Sequence, residues 1–345
     1  MTFTDQPAGA TIWLASRAMR TASDALLGCI LLIAGAIAIW DSRDVSFGDW
    51  EQLDTGFFPI VVGVLAGVVG ILLLGRAAFV DRLRPAPWRW WGVGLVGLGV
   101  ALVISTLSSQ PRWMLLYGPP ELASLLFLAG ITVIVLARWS RLQALGMVLF
   151  GWLLGAVGID VITGKLRLAM GLEQLADGIS PLLVALGLMV VGEGMVCLLS
   201  PSLWLATFLW IWAPPSDMTL SVAVSIVLRA IAVLAIAGAC YLGFWWSAQV
   251  FEVLLIVVFG FLGVACKLFQ WNRPVLILAC FYGYVWEQSV RQTMLIAQGD
   301  PSIFFNRGAS GMLLAIALGL MLLGIILSVK RVEQTQPFPA ARSID

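Results

Sequence analysis

The chain has 345 residues, of which 61% are hydrophobic and 11% charged, and its net charge is +1. A soluble domain carries about 25% charged residues, so this chain has too few charges to cover a water-facing surface, and it offers neither the basic footprint of a nucleic-acid binder nor an acidic tail. It contains no histidine, and Cys29, Cys197, Cys240, Cys266 and Cys280 sit singly in apolar runs with no CxxC pair, so no metal, no cofactor and no disulfide framework is expected.

A bilayer-crossing helix needs about 20 mostly apolar residues. The first such run begins near Ala25, behind Arg17 and Arg20, and no small-residue cleavage pattern follows it, so it reads as a retained span rather than a signal peptide. In chain order the hydropathy predicts spans near 24–40, 57–75, 90–107, 121–137, 142–162, 179–199, 219–243, 251–268, 274–290 and 309–328. The run 203–212 is apolar but short, and Pro201, Pro214 and Pro215 bracket it, which suits an interfacial or re-entrant segment. With both termini cytoplasmic, 13 of the 20 Lys and Arg residues fall in cytoplasmic segments and 6 in external ones, Arg229 lying inside a span. That is the positive-inside bias. Trp40, Trp88, Trp113, Trp139, Trp245 and Trp271 fall near span ends, where an indole keeps its body in lipid and its N–H toward water. The expected fold is all-α and polytopic, with about ten transmembrane helices embedded in a lipid bilayer and both termini cytoplasmic.

Charges inside spans are costly and mark function or pairing. Glu193, flanked by Gly192 and Gly194, lies well inside the sixth span, Arg229 about ten residues into the seventh, and Asp160 at the end of the fifth. A Glu193–Arg229 ion pair would neutralise two of these costs. Such a pair either staples two helices or lines an ion or substrate pathway. The segment from Gly158 through Asp160, Thr163 and Gly164 to Lys165 and Arg167 reads as a tight external turn, or as a cup for an anion built from Lys165, Arg167 and backbone N–H groups. Glu287 and Arg291 stand four apart on one helix, the spacing of a structural ion pair. The many glycines of the spans, Gly63, Gly67 and Gly70 among them, suit close helix packing. No phosphate loop, nucleotide fingerprint or catalytic dyad is visible, so the chain is not expected to be an enzyme.

The first part of the chain, with Asp24-Ala25-Leu26-Leu27-Gly28 and then Thr55-Gly56-Phe57-Phe58-Pro59 at the entry of the second span, resembles the small membrane subunit (TctB) of tripartite tricarboxylate transporters. The rest resembles their large subunit (TctA). The matching elements are Gly118-Pro119-Pro120-Glu121, Gly158-Ile159-Asp160 with Thr163-Gly164 and Arg167, Asp177-Gly178-Ile179-Ser180, and Glu193; farther on come Gly260-Phe261-Leu262-Gly263, Glu287, Arg291-Gln292 and Gly299-Asp300-Pro301-Ser302. The resemblance divides the chain into a small-subunit-like region over 1–110, a large-subunit-like central region over 111–200, an interfacial linker over 201–218, a large-subunit-like C-terminal region over 219–332 and a cytoplasmic tail over 333–345. It implies a bacterial inner-membrane component of a secondary carrier. Its partners would be a large membrane subunit and a periplasmic solute-binding protein that delivers an organic carboxylate, and Asp160, Thr163, Arg167, Glu193 and Arg229 would be candidates for its pathway. The large subunit ordinarily carries two Pro-Gly re-entrant hairpins. No such hairpin precedes Gly118 and Ser200 to Asp217 stands in place of the second, which implies an accessory or scaffold role, or a non-transporting scaffold that only binds carrier partners.

Overall fold

The computed structural model describes residues 8–43, 45, 47–49, 53–79, 118–136, 141–160, 163–199, 220–247 and 249–333. The expected span 90–107, the whole linker over 201–218 with its run 203–212, and nearly all of the tail lie outside the described residues. The described chain is helical almost throughout: α1 (Ala8–Asp41), α2 (Phe57–Phe79), α3 (Pro119–Leu136), α4 (Arg141–Gly155), α5 (Pro181–Ala185) running through a π-helical stretch (Leu186–Val191) into α6 (Gly192–Leu199), α7 (Leu220–Ser247), α8 (Val250–Leu268), α9 (Arg273–Ile296), α10 (Ile303–Asn306) and α11 (Gly308–Glu333). Two two-residue strands, β1 (Gly158–Ile159) and β2 (Leu166–Arg167), pair antiparallel with Gly158 opposite Arg167.

Among the described residues, five segments are long and apolar enough to cross a membrane: Thr21–Asp41, Phe57–Ala78, Pro181–Leu199, Val227–Trp245 and Val250–Leu268. Pro119–Val135, Arg141–Gly155 and Gly308–Gly324 are apolar but shorter. Large aliphatic side chains such as Ile71, Leu234 and Leu254 are exposed along these helices, which in a chain this apolar is a lipid-facing surface. The protein is a multi-pass membrane protein. Two expected spans differ in detail. The helix expected over 142–162 stops at Gly155, because the chain turns into the β-hairpin and Gly158 takes a φ of +125° that only glycine adopts freely. The helix over 274–290 is present within α9, but Arg273, Glu287, Gln288 and Arg291 leave it outside the apolar set, and Val275, Leu276, Ala279, Ser289 and Thr293 are buried. α9 is therefore enclosed by protein along much of its length.

The chain forms two compact units. The first comprises 1–48, 54–83 and 142–284, the second 49–53, 84–141 and 285–345; α9 gives its first half to one and its second half to the other.

In the first unit, α1 and α2 pack as an antiparallel hairpin on two glycine pairs spaced seven residues apart in each helix. A Cβ at Gly28 would lie 2.9 Å from the Gly70 carbonyl oxygen, and one at Gly35 only 2.5 Å from that of Gly63. Without side chains there, the backbones approach closely enough to interlock, the usual device where lipid supplies no hydrophobic drive between helices. The π stretch does similar work against α8. Residues five apart in an α-helix diverge by about 140°, yet Gly187 and Gly192 both face α8, against Phe259 and Gly263. The wider π turn brings them onto one face.

Candidate functional site

At one end of the first unit, β1, β2 and the entry of α2 assemble a polar knot. Thr55, fully buried, donates its hydroxyl to Asp160 Oδ2 at 3.0 Å, and Thr163 donates to the same oxygen at 2.7 Å. The two threonine hydroxyls also touch each other. Thr55 N–H donates to Asp54 Oδ1 at 2.7 Å, and the Asp160 backbone N–H donates to the Lys165 carbonyl at 2.9 Å, closing the hairpin. Asp160 is thus on the hairpin rather than at the end of a helix, at 0% exposure with two hydroxyl donors on one oxygen. Arg167, on β2, is buried, whereas Lys165 is exposed. Leu168 follows with a φ of +54°, strained for a branched side chain, and its N–H is held by the Asp41 carboxylate at the end of α1. Thr55 and Gly56 form the turn into α2, which Phe57 begins. Phe57 packs edge-on to Phe47 with centroids 5.0 Å apart and to Phe58 at 5.3 Å; Phe58 is buried and Pro59 sits in the first helical turn, where a missing N–H costs nothing.

The opposite ends of the same helices gather a second network. Asp24 on α1 accepts Arg76 Nε of α2 at 2.8 Å and Gln143 Nε2 of α4 at 2.5 Å. Ser23 Oγ accepts Trp271 Nε1 at 2.9 Å and Gln143 Nε2 at 3.2 Å and donates to the Phe269 carbonyl at 3.0 Å, so its hydroxyl is fully used. Nearby in this unit, Glu193 is engaged by Lys267, at the end of α8, and by Arg273 Nη1, at the start of α9, at 2.7 Å. This replaces the expected Glu193–Arg229 pair. The reason is azimuthal: Gly194, one residue on, faces Ile236 and Ala232 of α7, so Glu193 is turned away from the helix that carries Arg229. Its partners stand at a helix end, and its side chain is 52% exposed while that of Arg273 is 3% exposed. Glu193 is therefore paired with two cations.

In the second unit, Arg291 Nη1 stands 3.6 Å from Glu287 Oε1, both side chains buried, and Arg291 Nε donates to the Leu53 carbonyl at 3.1 Å. Here the turn before α3 meets the start of α11. Glu121, buried in the first turn of α3, accepts Arg307 Nη1 on both carboxylate oxygens at 3.2 Å. Ser124 and Ser310 hydroxyls lie 2.6 Å apart, and both reach the Pro120 carbonyl. A Cβ at Gly118 would stand 2.8 Å from Arg307 Nη1, so glycine is what lets the guanidinium lie against the chain. A cavity of about 370 Å³ opens beside this pair, lined by the 118–121 turn, Ile296, Ile303, Arg307 and Gly308. Glu121 entered the sequence reading only through its motif; its partner lies 186 residues away, and no local spacing announces it.

Residues 91–203 match the tripartite tricarboxylate transporter TctA family. Over 96 residues the chain is 42% identical to an uncharacterized 52.8 kDa protein in the TAR-I ttuC′ 3′ region of Agrobacterium vitis. That alignment covers 27% of this chain and 19% of the relative's length. No solved structure matches. Asp160, Thr163 and Arg167 of the hairpin, the α5–π–α6 span with Glu193, and the Gly118-Pro119-Pro120-Glu121 turn thus lie on the segment that is similar to TctA proteins, whereas Thr55 of the knot lies outside it.

Proposed function

We propose that this chain is an accessory or scaffold membrane subunit of a tripartite tricarboxylate-type carrier in a bacterial inner membrane. It works beside a large membrane subunit and a periplasmic solute-binding protein that delivers an organic carboxylate. The observation that carries this reading is the TctA match over 91–203 in a chain built of apolar, membrane-length helices. The resemblance of the α1–α2 hairpin and its Gly56-Phe57-Phe58-Pro59 turn to the small subunit supports the accessory role. So does the sequence over 200–217, which lacks a Pro-Gly hairpin of the kind that would form a broken-helix substrate site. The chain is not an enzyme on this reading. The experiment is co-expression of the tagged chain with a TctA-type large subunit and a periplasmic binding protein, followed by purification. Co-purification with the large subunit is the expected result, and purification of the chain alone from membranes that contain the partner would overturn it. The same missing hairpins favour one second reading, a non-transporting scaffold, which would co-purify with the large subunit and leave uptake by that subunit unchanged.

A further inference from the structure

We propose that the ammonium of Lys267, where α8 turns into α9, binds the phosphate headgroup of an anionic phospholipid. This goes beyond the carrier reading and does not depend on it. Two cations meet a single carboxylate at this turn. Glu193 of α6 is engaged by Lys267 through Oε2 and by Arg273 Nη1 through Oε1, the latter at 2.7 Å, so the trio keeps one positive charge unbalanced. The two cations differ in access. Arg273 is 3% exposed and fixed, whereas Lys267 is 46% exposed. Lys267 spends one of its three donors on Glu193.

Lys267 can leave Glu193 without stranding it. Arg273 Nη2 is buried and has no hydrogen-bond partner among the described residues. It is the second prong of a guanidinium fork whose first prong already holds Glu193 Oε1. When a phosphate draws Lys267 away, Glu193 Oε2 takes up that second prong. The pair then becomes bidentate, the strong geometry for guanidinium and carboxylate. The orphaned donor is satisfied, the carboxylate stays neutralised, and the ammonium turns its charge outward.

The surroundings select a lipid over a soluble phosphate. Leu268 follows Lys267 directly, Phe261 lies two turns back on α8, and Leu199 ends α6; all three are exposed. Phe261 and Leu268 are seven residues apart and so share one face of α8. In a membrane-length apolar helix that face meets acyl chains, and a cation at the helix end stands at headgroup level. The sequence expects this end of the helices at the cytoplasmic surface. Anionic lipids gather there, and basic pockets between spans hold their headgroups.

The test is native mass spectrometry of the purified, delipidated full chain, titrated in detergent with phosphatidylglycerol or with phosphatidylcholine. Wild type should bind phosphatidylglycerol about fivefold more tightly, the worth of one cation at an anionic surface. Lys267→Gln should abolish the preference, and Lys267→Arg, which restores the charge, should keep it. Glu193→Gln, which leaves both cations without a carboxylate, should enlarge it. Lys165→Gln, at the opposite end of the unit, should not alter it, and inorganic phosphate in large excess should not displace the lipid. No preference in wild type, or a preference retained by Lys267→Gln or lost in Lys267→Arg, would overturn the proposal. So would an equal loss in Lys165→Gln, which would mean diffuse attraction, or displacement by inorganic phosphate, which would mean a soluble anion.

Discussion

Gly35 is the sharpest point of contact in the α1–α2 hairpin, and replacing it with alanine should destabilise the protein by about 1–2 kcal/mol. The new methyl would stand 2.5 Å from the Gly63 carbonyl oxygen and 3.3 Å from the Gly67 nitrogen, where ordinary contact begins at 3.4 Å. Both obstacles are backbone, so no side chain can swing aside; the helices must part by several tenths of an ångström or more. Overpacking of that kind costs about 1–3 kcal/mol, and a gap of 0.5–1 Å along the rest of the seam forfeits roughly a quarter to a half of each dispersion contact. Against this, alanine improves helix propensity by about 1 kcal/mol or somewhat less. The internal control lies on the facing helix: a Cβ at Gly67 meets nothing within 4 Å, so Gly67→Ala should be neutral or slightly stabilising. Unfolding of the purified protein in mixed micelles by titration with SDS, followed by tryptophan fluorescence, measures both. Equal effects of the two substitutions, or a neutral Gly35→Ala, would refute the close-packed seam.

Other consequences follow from the polar networks and the topology. In a double-mutant cycle, Glu193→Gln should couple to Arg273→Gln by about 1–3 kcal/mol, because Arg273 is buried. It should be additive with Arg229→Gln within about 0.5 kcal/mol; the opposite pattern would restore the Glu193–Arg229 pairing. Thr55→Val removes one of two hydroxyl donors from the buried Asp160 carboxylate and should lower stability by about 1–3 kcal/mol in the same SDS titration, with Thr55→Ser recovering most of the loss. Single cysteines at positions 49 and 165, in a cysteine-free background, should react with a membrane-impermeant reagent in intact cells, and cysteines at 82 and 330 should be protected. Reaction at 82 with protection at 49 would overturn the ten-span topology with cytoplasmic termini.

What the sequence discloses is set by how local the physics is. The apolar stretches that become α1, α2, α5–α6, α7 and α8 are legible because a membrane-length helix is a one-dimensional property of the chain. Glu287 and Arg291 are legible as neighbours because four residues make one helical turn. The turn over 158–167 is legible from its glycines. Asp160 reads there as a charge at a span end, but Thr55, which supplies one of its donors, lies 105 residues away. Depth along a span is also readable where direction is not. Glu193 and Arg229 each sit inside apolar runs, and pairing them satisfies both costs on paper; the π stretch and the 100° step between residues 193 and 194 decide otherwise. The Asp24–Arg76 contact had a faint signal, opposite charges at two span ends expected on the same side of the membrane. Glu121–Arg307 had none beyond its motif.

The central claim is that this chain serves a carboxylate carrier as a subunit that does not transport alone. Uptake of labelled citrate into proteoliposomes tests it most directly, with the chain and a periplasmic binding protein in one preparation and a TctA-type large subunit added in another. Uptake in the second preparation above that given by the large subunit and binding protein without this chain, together with none in the first, is the predicted result. Uptake by the chain and binding protein alone, or no difference when the chain is left out of the complete set, would contradict it.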